Sequence, residues 1–515
     1  MKKINQLKAG AVLSYASLLI GNIISILYTP LVLRLLGQSE YGLFNLSNSI
    51  VGYLGILNLG FGSAIVRYTA KYRAINDKEG EYNLNGMFIV VYSLLALIVI
   101  IAGSFLVMNA DNIFGKSLLS EELIKIKILM MIMIFNLAIS FPFGIFASII
   151  TAYERFVFPK IIGIIRTILS PFVMLPLLLM GYKSITMTLV TTIINVLFIG
   201  INMYYCFKVL KIKVKFNNLD FIVFKEIFGY SFFILLNTIV DKIYWSTDQF
   251  ILGAVSGTVA VAIYSVGSNF NNYYMAFSTA VTSVFLPKVT KMVFINVPDK
   301  ELSDLFIKTG RIQYIIMSLI LGGFIIVGKE FIGVWAGLGY EEAYYIAIIV
   351  MIPLTIPLIQ TLGITILQAK NMHKFRSNVY LIIALVNLTF SIPMARAFGG
   401  IGAALCTSIA MIIGHIVIMN IYYYKKIKID IPSFWRNIIK MSFPAILSLI
   451  IGLFFENIIV LKGIYSVLIN GLVFLIVFIV LMWNMGMNEY EKKLISIPIN
   501  NIFTKVVKKI KKVRP

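Results

Sequence analysis

Apolar residues run along this chain in long blocks separated by short polar stretches, and a helix needs about 20 of them to cross a hydrocarbon core. In the first half, blocks of that length lie at roughly 11–33, 41–65, 86–108, 126–150, 160–181, 184–206 and 228–253. In the second they lie at roughly 257–286, 312–336, 344–368, 377–395, 400–424, 440–461 and 463–485. The pattern predicts an all-α, polytopic integral membrane protein of about 14 transmembrane helices. Charged loops such as RYTAKYRAINDKEGEYN and KKIKIDIPSFWRN end the blocks abruptly, whereas GYKS at 181–184 is a weaker break.

Composition agrees, because 59% of the residues are hydrophobic and 13% charged, while a soluble domain carries about 25% charged residues. The net charge of +23 raises the question of a nucleic-acid partner. The Lys and Arg sit in short loops between apolar blocks, however, which is a topology signal, and no nucleic acid is expected. With the N-terminus inside, the segments Arg67 to Lys78, Lys208 to Lys225, Lys288 to Arg311, Lys370 to Arg376 and Lys425 to Lys440 share one side. Roughly 35 of the 45 basic residues then face the cytoplasm, together with both termini.

Other features read as structural. The opening MKKINQLKAG precedes a run too long for a signal peptide and lacks a small-residue cleavage site, so it starts the first span. Cys206 and Cys406 fall inside spans far apart in sequence, which supports neither a disulfide framework nor a zinc site. The tail KVVKKIKKVRP reads as a cytoplasmic positive anchor able to meet anionic lipid.

The chain also resembles itself. A shift of roughly 220 residues aligns EYGLFNLSNSIVGYLGILNLGFGSAIVRYTAKY with AVAIYSVGSNFNNYYMAFSTAVTSVFLPKVTKM, setting Gly37 on Gly257, Tyr53 on Tyr273 and Lys71 on Lys291. A shift of roughly 217 sets Phe158 on Phe375. Six spans per repeat is an even number, so the halves are expected to share orientation about a pseudo-two-fold axis along the membrane normal. The expected organisation is a six-helix lobe at 1–206, a cytoplasmic linker at 207–224, a second six-helix lobe at 225–424, two further helices at 425–485 and a basic tail at 486–515.

The stretches LLGQSEYGLFNL, NLGFGSAIVRYTAKYRA and TDQFILGAVSGTVAVAIYSVGSNFNNYYM resemble the polysaccharide-biosynthesis or O-antigen (Wzx-type) flippases of the multidrug/oligosaccharidyl-lipid/polysaccharide exporter superfamily. The resemblance spans most of the chain and rests on packing and turn patterns, with no catalytic signature. It implies two six-helix lobes around a cavity open to one side at a time, plus two C-terminal helices. It also implies a bacterial cytoplasmic membrane, with an undecaprenyl-pyrophosphate-linked oligosaccharide carried from the inner to the outer leaflet. Membrane lipids are a further partner, and polysaccharide polymerase machinery a conceivable one.

Moving a glycan through lipid requires polar faces on apolar helices, since each hydroxyl buried without a partner costs roughly 2–7 kcal/mol. Such faces exist. In NTIVDKIYWSTDQF, Asn237, Asp241, Tyr244 and Asp248 form one stripe of the seventh span, and Lys242 points elsewhere. Asn269 and Asn272 mark a face of the eighth span, Asn48 one of the second, and Asn22 one of the first. Packing through small and polar residues accounts for many Gly and Ser positions. An intramembrane charge costs roughly 2.5–3.5 kcal/mol on insertion scales, so Asp241, Lys242 and Asp248 require either ion pairing or a polar cavity, whereas Arg166, roughly 9 Å from the expected cytoplasmic edge, either joins that cavity or snorkels to the interface. The repeat sets Asp241 and Lys242 opposite Gly21 and Asn22, confining charge to one lobe. A cation on that wall suits a pyrophosphate.

Catalysis is not expected. FGKS at 114–117 has Ala110 where a phosphate-binding loop needs its first Gly, and the longest outer loop, about residues 109–125, is short for a polysaccharide polymerase or ligase. A cation-coupled multidrug antiporter or a lipid II flippase shares the same span logic. No cofactor is expected, and a coupling ion, H+ or Na+, would act through Asp241 or Asp248.

Overall fold

A computed structural model describes residues 6–217, 221–282, 285–370, 372–458, 461–494 and 496–497, and the regular structure it contains is helical. The first helices are α1 (Gln6–Leu36), α2 (Gln38–Leu54), α3 (Phe61–Ala74), α4 (Lys78–Met108), α5 (Ala110–Phe114) and α6 (Ser120–Ala152). They are followed by α7 (Val157–Leu179), α8 (Ser184–Tyr204), α9 (Phe221–Val255), α10 (Thr258–Thr282), α11 (Leu286–Phe294) and α12 (Asp299–Ala336). The last are α13 (Glu342–Ile359), α14 (Thr361–Ala369), α15 (His373–Met411), α16 (Met419–Tyr422), α17 (Ile431–Ile458) and α18 (Ile464–Leu481). Among the described residues, 11 helical stretches are long and apolar enough to cross a membrane. Bulky apolar side chains such as Leu27, Phe172, Phe454 and Leu468 are exposed on them, as lipid-facing surface requires.

Two expected spans are broken. The block at 41–65 becomes α2 and α3, because Leu59 and Gly60 both take left-handed φ values, 55 and 67. The block at 344–368 becomes α13 and α14, with the break at Gln360 following Pro353 and Pro357, which lack the N–H a helix interior uses. The blocks at 377–395 and 400–424 join through α15, bent at Gly399, where φ is 55 and ψ −137.

The chain divides into two compact units: Met1–Val266 with Tyr380–Thr407, and Gly267–Val379 with Ser408–Pro515. Thus 225–266 and 380–407, which the sequence grouping assigns to the second lobe, pack within the first unit. In that unit, the N-terminal ends of α2, α6, α8 and α10 are tied by two carboxylates. Glu40 takes Lys125 Nζ at 2.8 Å and the backbone N–H of Ser184 at 3.3 Å. Glu122 accepts from Ser39 Oγ at 2.5 Å, Thr258 Oγ1 at 2.7 Å and the Leu119 N–H at 3.0 Å. Negative charge at helix N-termini is favourable because unpaired N–H groups and the helix dipole point there. The segment 210–217 lies across α4, with Lys215 N bonded to Tyr82 O at 3.0 Å and Asn85 Nδ2 to Lys213 O at 3.2 Å.

In the second unit, α12, α17 and α18 pack along their length around Ile326, Met441, Phe474, Phe478 and Met482. At one end of this core Arg311 meets Glu491.

Local geometry recurs at the sequence shifts. Gly37 and Gly257, aligned in the repeat, have φ of 77 and 85, and each lies directly before a helix. Asn76 and Asn296, 220 positions apart, take φ of 57 and 52 just beyond the ends of α3 and α11. Phe158 stacks on Tyr205 at 3.9 Å, and Phe375, 217 positions on, stacks on Tyr422 at 4.0 Å.

Candidate functional site

The first unit holds an open cavity of about 560 Å³ lined by α2, α6, α7, α8 and α9. Two cations reach it: Lys242 from α9 and Arg166 from α7. Among the described residues, neither has a carboxylate within 4.0 Å, and the lining contains no acidic side chain. The Lys242 ammonium is seated against α2 where that helix carries Gly52, since a Cβ added there would stand 3.1 Å from Nζ.

The neutral polar groups come from Asn48 on α2, Asn136 and Ser140 on α6, Asn195 on α8 and Thr238 on α9. Asn136 and Ser140 are one turn apart, so they share a face of an otherwise apolar helix. Asn195 Nδ2 donates to Asn136 Oδ1 at 2.6 Å and to Ser140 Oγ at 2.8 Å, which joins α6 to α8 across this wall. A positive cavity with several neutral hydrogen-bonding groups and apolar flanks such as Met133 and Leu137 suits an anionic, hydroxyl-rich molecule.

Of the residues singled out from sequence, Lys242, Arg166 and Asn48 come together here. Asp248 does not join them. It is 3% exposed, its Oδ2 accepts from Thr407 Oγ1 at 2.9 Å and from the Tyr264 hydroxyl, and the Ser391 hydroxyl also lies against the carboxylate. Thr407 also receives Asn387 Nδ2 at 3.2 Å, and its carbonyl receives the Tyr244 hydroxyl at 3.3 Å. The Tyr244–Asp248 stripe of α9 therefore faces α10 and α15 within the unit, and Lys242 faces the cavity. Asp241 is exposed beside it. Asn22 is half-buried on α1 and does not line the cavity. Asn269 is half-buried and Asn272 exposed on α10, both in the second unit. The Asn237 side chain lies outside the described residues.

Asn136, Ser140, Asn195 and Thr238 were missed from sequence. The signal was present, since Asn136 and Ser140 are polar residues four apart in the apolar run ILMMIMIFNLAISF. The rule that marked α9 identifies them as well.

The fold and this site define an all-helical, multi-pass membrane protein with a polar, cation-bearing cavity among its helices. Its sequence matches the family described as Polysaccharide biosynthesis protein over residues 7–293, and the chain belongs to that family. It is 22% identical over 403 residues to the “Putative O-antigen transporter” of Shigella flexneri, covering 76% of this chain and 91% of the relative. It is 21% identical over 410 residues to the “Uncharacterized membrane protein EpsK” of Bacillus subtilis, covering 78% and 79%. Among solved structures it resembles the lipid II flippase MurJ in its inward closed conformation, with TM-score 0.72, 19% identity and coverage of 92% and 97%. It also resembles an outward-facing multidrug resistance transporter of the MATE family and MOP superfamily, with TM-score 0.56, 13% identity and coverage of 84% and 98%.

Proposed function

We propose that the protein is a flippase that carries a polyprenyl-diphosphate-linked oligosaccharide from the inner to the outer leaflet of the bacterial cytoplasmic membrane by alternating access. The observation that carries this reading is the cavity holding Lys242 and Arg166 with no acidic lining residue. A diphosphate would meet two cations there, with amides and hydroxyls beside them for the sugar, while the polyprenyl chain stays in lipid. The description of the Shigella flexneri relative as an O-antigen transporter agrees with such a cargo. The same lining disfavours a multidrug antiporter for cations, whose cargo would be repelled. Lipid II, another diphosphate-linked saccharide, is the nearer alternative, and the two are separated by the sugar that competes for transport.

In this reading both termini are cytoplasmic, and the cavity opens to one side of the membrane at a time. The coupling ion, H+ or Na+, acts at Asp248, a carboxylate buried to 3% exposure in an apolar span, whose charge a proton or cation would balance. Transport occurs without covalent chemistry.

Proteoliposome or cell-based export tests the reading. Lys242→Ala abolishes export at normal protein level, Lys242→Arg retains part of it, and Asp241→Asn is impaired less than Lys242→Ala. Full export by the Lys242→Met, Asp241→Leu double variant overturns the cavity role and leaves the charges as internal glue.

A further inference from the structure

The amides of Asn136 and Asn195 are locked in one orientation by a neighbour with a single hydrogen to give. Ser140 Oγ donates that hydrogen to the carbonyl of Asn136 at 2.7 Å, so towards Asn195 it acts only as an acceptor. Asn195 must then present its NH₂ group to Ser140 at 2.8 Å, and the second hydrogen of that group goes to Asn136 Oδ1 at 2.6 Å. This exhausts the donors of Asn195 and turns the carbonyl oxygen of Asn136 towards it. Asn195 Oδ1 and the whole NH₂ group of Asn136 are left over, with no protein partner among the described residues. Both side chains line the cavity that holds Lys242 and Arg166.

We propose that this amide pair reads the sugar joined directly to the diphosphate, selecting a neutral substituent that offers both a hydrogen-bond donor and an acceptor. The inference rests on the flippase reading. The cations neutralise the diphosphate and are indifferent to what it carries. The amides, uncharged and in the same cavity, meet the next group along the cargo. An acetamido group supplies an N–H and a C=O, and a diol supplies the same pair. A deoxy sugar leaves both amides unpaired, and a site built to hydrogen-bond a substituent rejects the analogue lacking it. The neighbouring Ser140 is fully used in holding the pair and adds no discrimination of its own.

Equilibrium binding to the full-length protein in nanodiscs tests this with short-chain polyprenyl diphosphates bearing N-acetylglucosamine, glucose or the deoxy analogue. The wild type binds the better of the first two about tenfold more tightly than the deoxy analogue, and the preferred sugar tells acetamido from hydroxyl recognition. Asn136→Asp keeps an acceptor for Asn195 but removes the donor, and the ratio falls, with the Asn195 Oδ1 acceptor remaining. Asn195→Leu removes the acceptor and frees Asn136 to turn, and it lowers the ratio without adding charge. Lys242→Ala weakens all three probes and preserves the ratio. A tenfold preference surviving in both Asn136→Asp and Asn195→Leu overturns the proposal, as does a wild type that binds every probe equally. Failure of the wild type to bind any probe instead sinks the flippase reading itself.

Discussion

Gly52 on α2 faces Lys242 on α9 so closely that a side-chain carbon at Gly52 would stand 3.1 Å from the lysine ammonium and 4.0 Å from its Cε. Gly52 lies within the helix, and its φ imposes no need for glycine. The requirement is space for the cation. Replacing glycine with alanine in a helix interior favours the helix by about 1 kcal/mol, and the far end of a lysine moves by a few tenths of an ångström at little cost. Gly52→Ala is therefore expected to match or exceed the wild type in thermal stability while transporting less. Gly52→Leu is expected to displace the ammonium and abolish transport at normal protein level. Undiminished export by Gly52→Leu would show that the position of Lys242 is immaterial.

Arg311 grips Glu491 through two hydrogen bonds, from Nε to Oε1 at 2.6 Å and from Nη2 to Oε2 at 2.9 Å. The same guanidinium reaches the Gly486 carbonyl at 3.0 Å and Asn437 Oδ1 at 3.1 Å, tying α12 to α17 and to the chain beyond α18. Asn488 and Glu491 exchange bonds of 2.9 Å in both directions, which holds the carboxylate ready for the arginine. Both charges are buried, so deleting one leaves the other unpaired, at a cost of about 3–5 kcal/mol. Glu491→Ala should lower the unfolding temperature of the purified protein sharply. The Arg311→Met, Glu491→Leu double variant should recover most of the loss. A double variant as unstable as the single one would mean that the remaining contacts of Arg311, rather than the ion pair, hold these helices together.

Orientation is checked by single cysteines and an impermeant thiol reagent in intact cells. The native thiols at Cys206 and Cys406 are buried and leave a low background. Cysteines at the exposed positions Asn76 and Asn217 should be shielded, and one at exposed Ser120 should label. The same shielding is expected at Asn371, which lies outside the described residues. Labelling of the first two in unbroken cells would invert the topology.

Much of the fold was legible because the bilayer imposes a one-dimensional rule. A spanning segment must satisfy its backbone polar groups internally and expose apolar side chains, so composition and block length alone gave an all-helical membrane protein. The repeat was legible for a similar local reason. Left-handed turns at Gly37 and Gly257, and the stacks of Phe158 on Tyr205 and Phe375 on Tyr422, depend on residue types at fixed short offsets. Helical periodicity also separated Lys242 from the stripe containing Asp248, since residues six apart on a helix lie on different faces.

Tertiary structure decided which faces meet. No local pattern states that Arg166 of α7 and Lys242 of α9 share one cavity, or that Asn195 of α8 closes onto Asn136 and Ser140 of α6. Nor could spacing assign the partners of Asp248, two of which lie 16 and 159 residues away at Tyr264 and Thr407. The grouping of 225–266 and 380–407 with the first unit is likewise a property of packing. A sequence records the chemistry offered by each helix face, and bringing faces together depends on the shapes of several helices at once. The charges of α9 were therefore visible from sequence as a problem in an apolar span, whereas its two solutions, a shared cavity for Lys242 and a buried hydroxyl nest for Asp248, exist only in three dimensions.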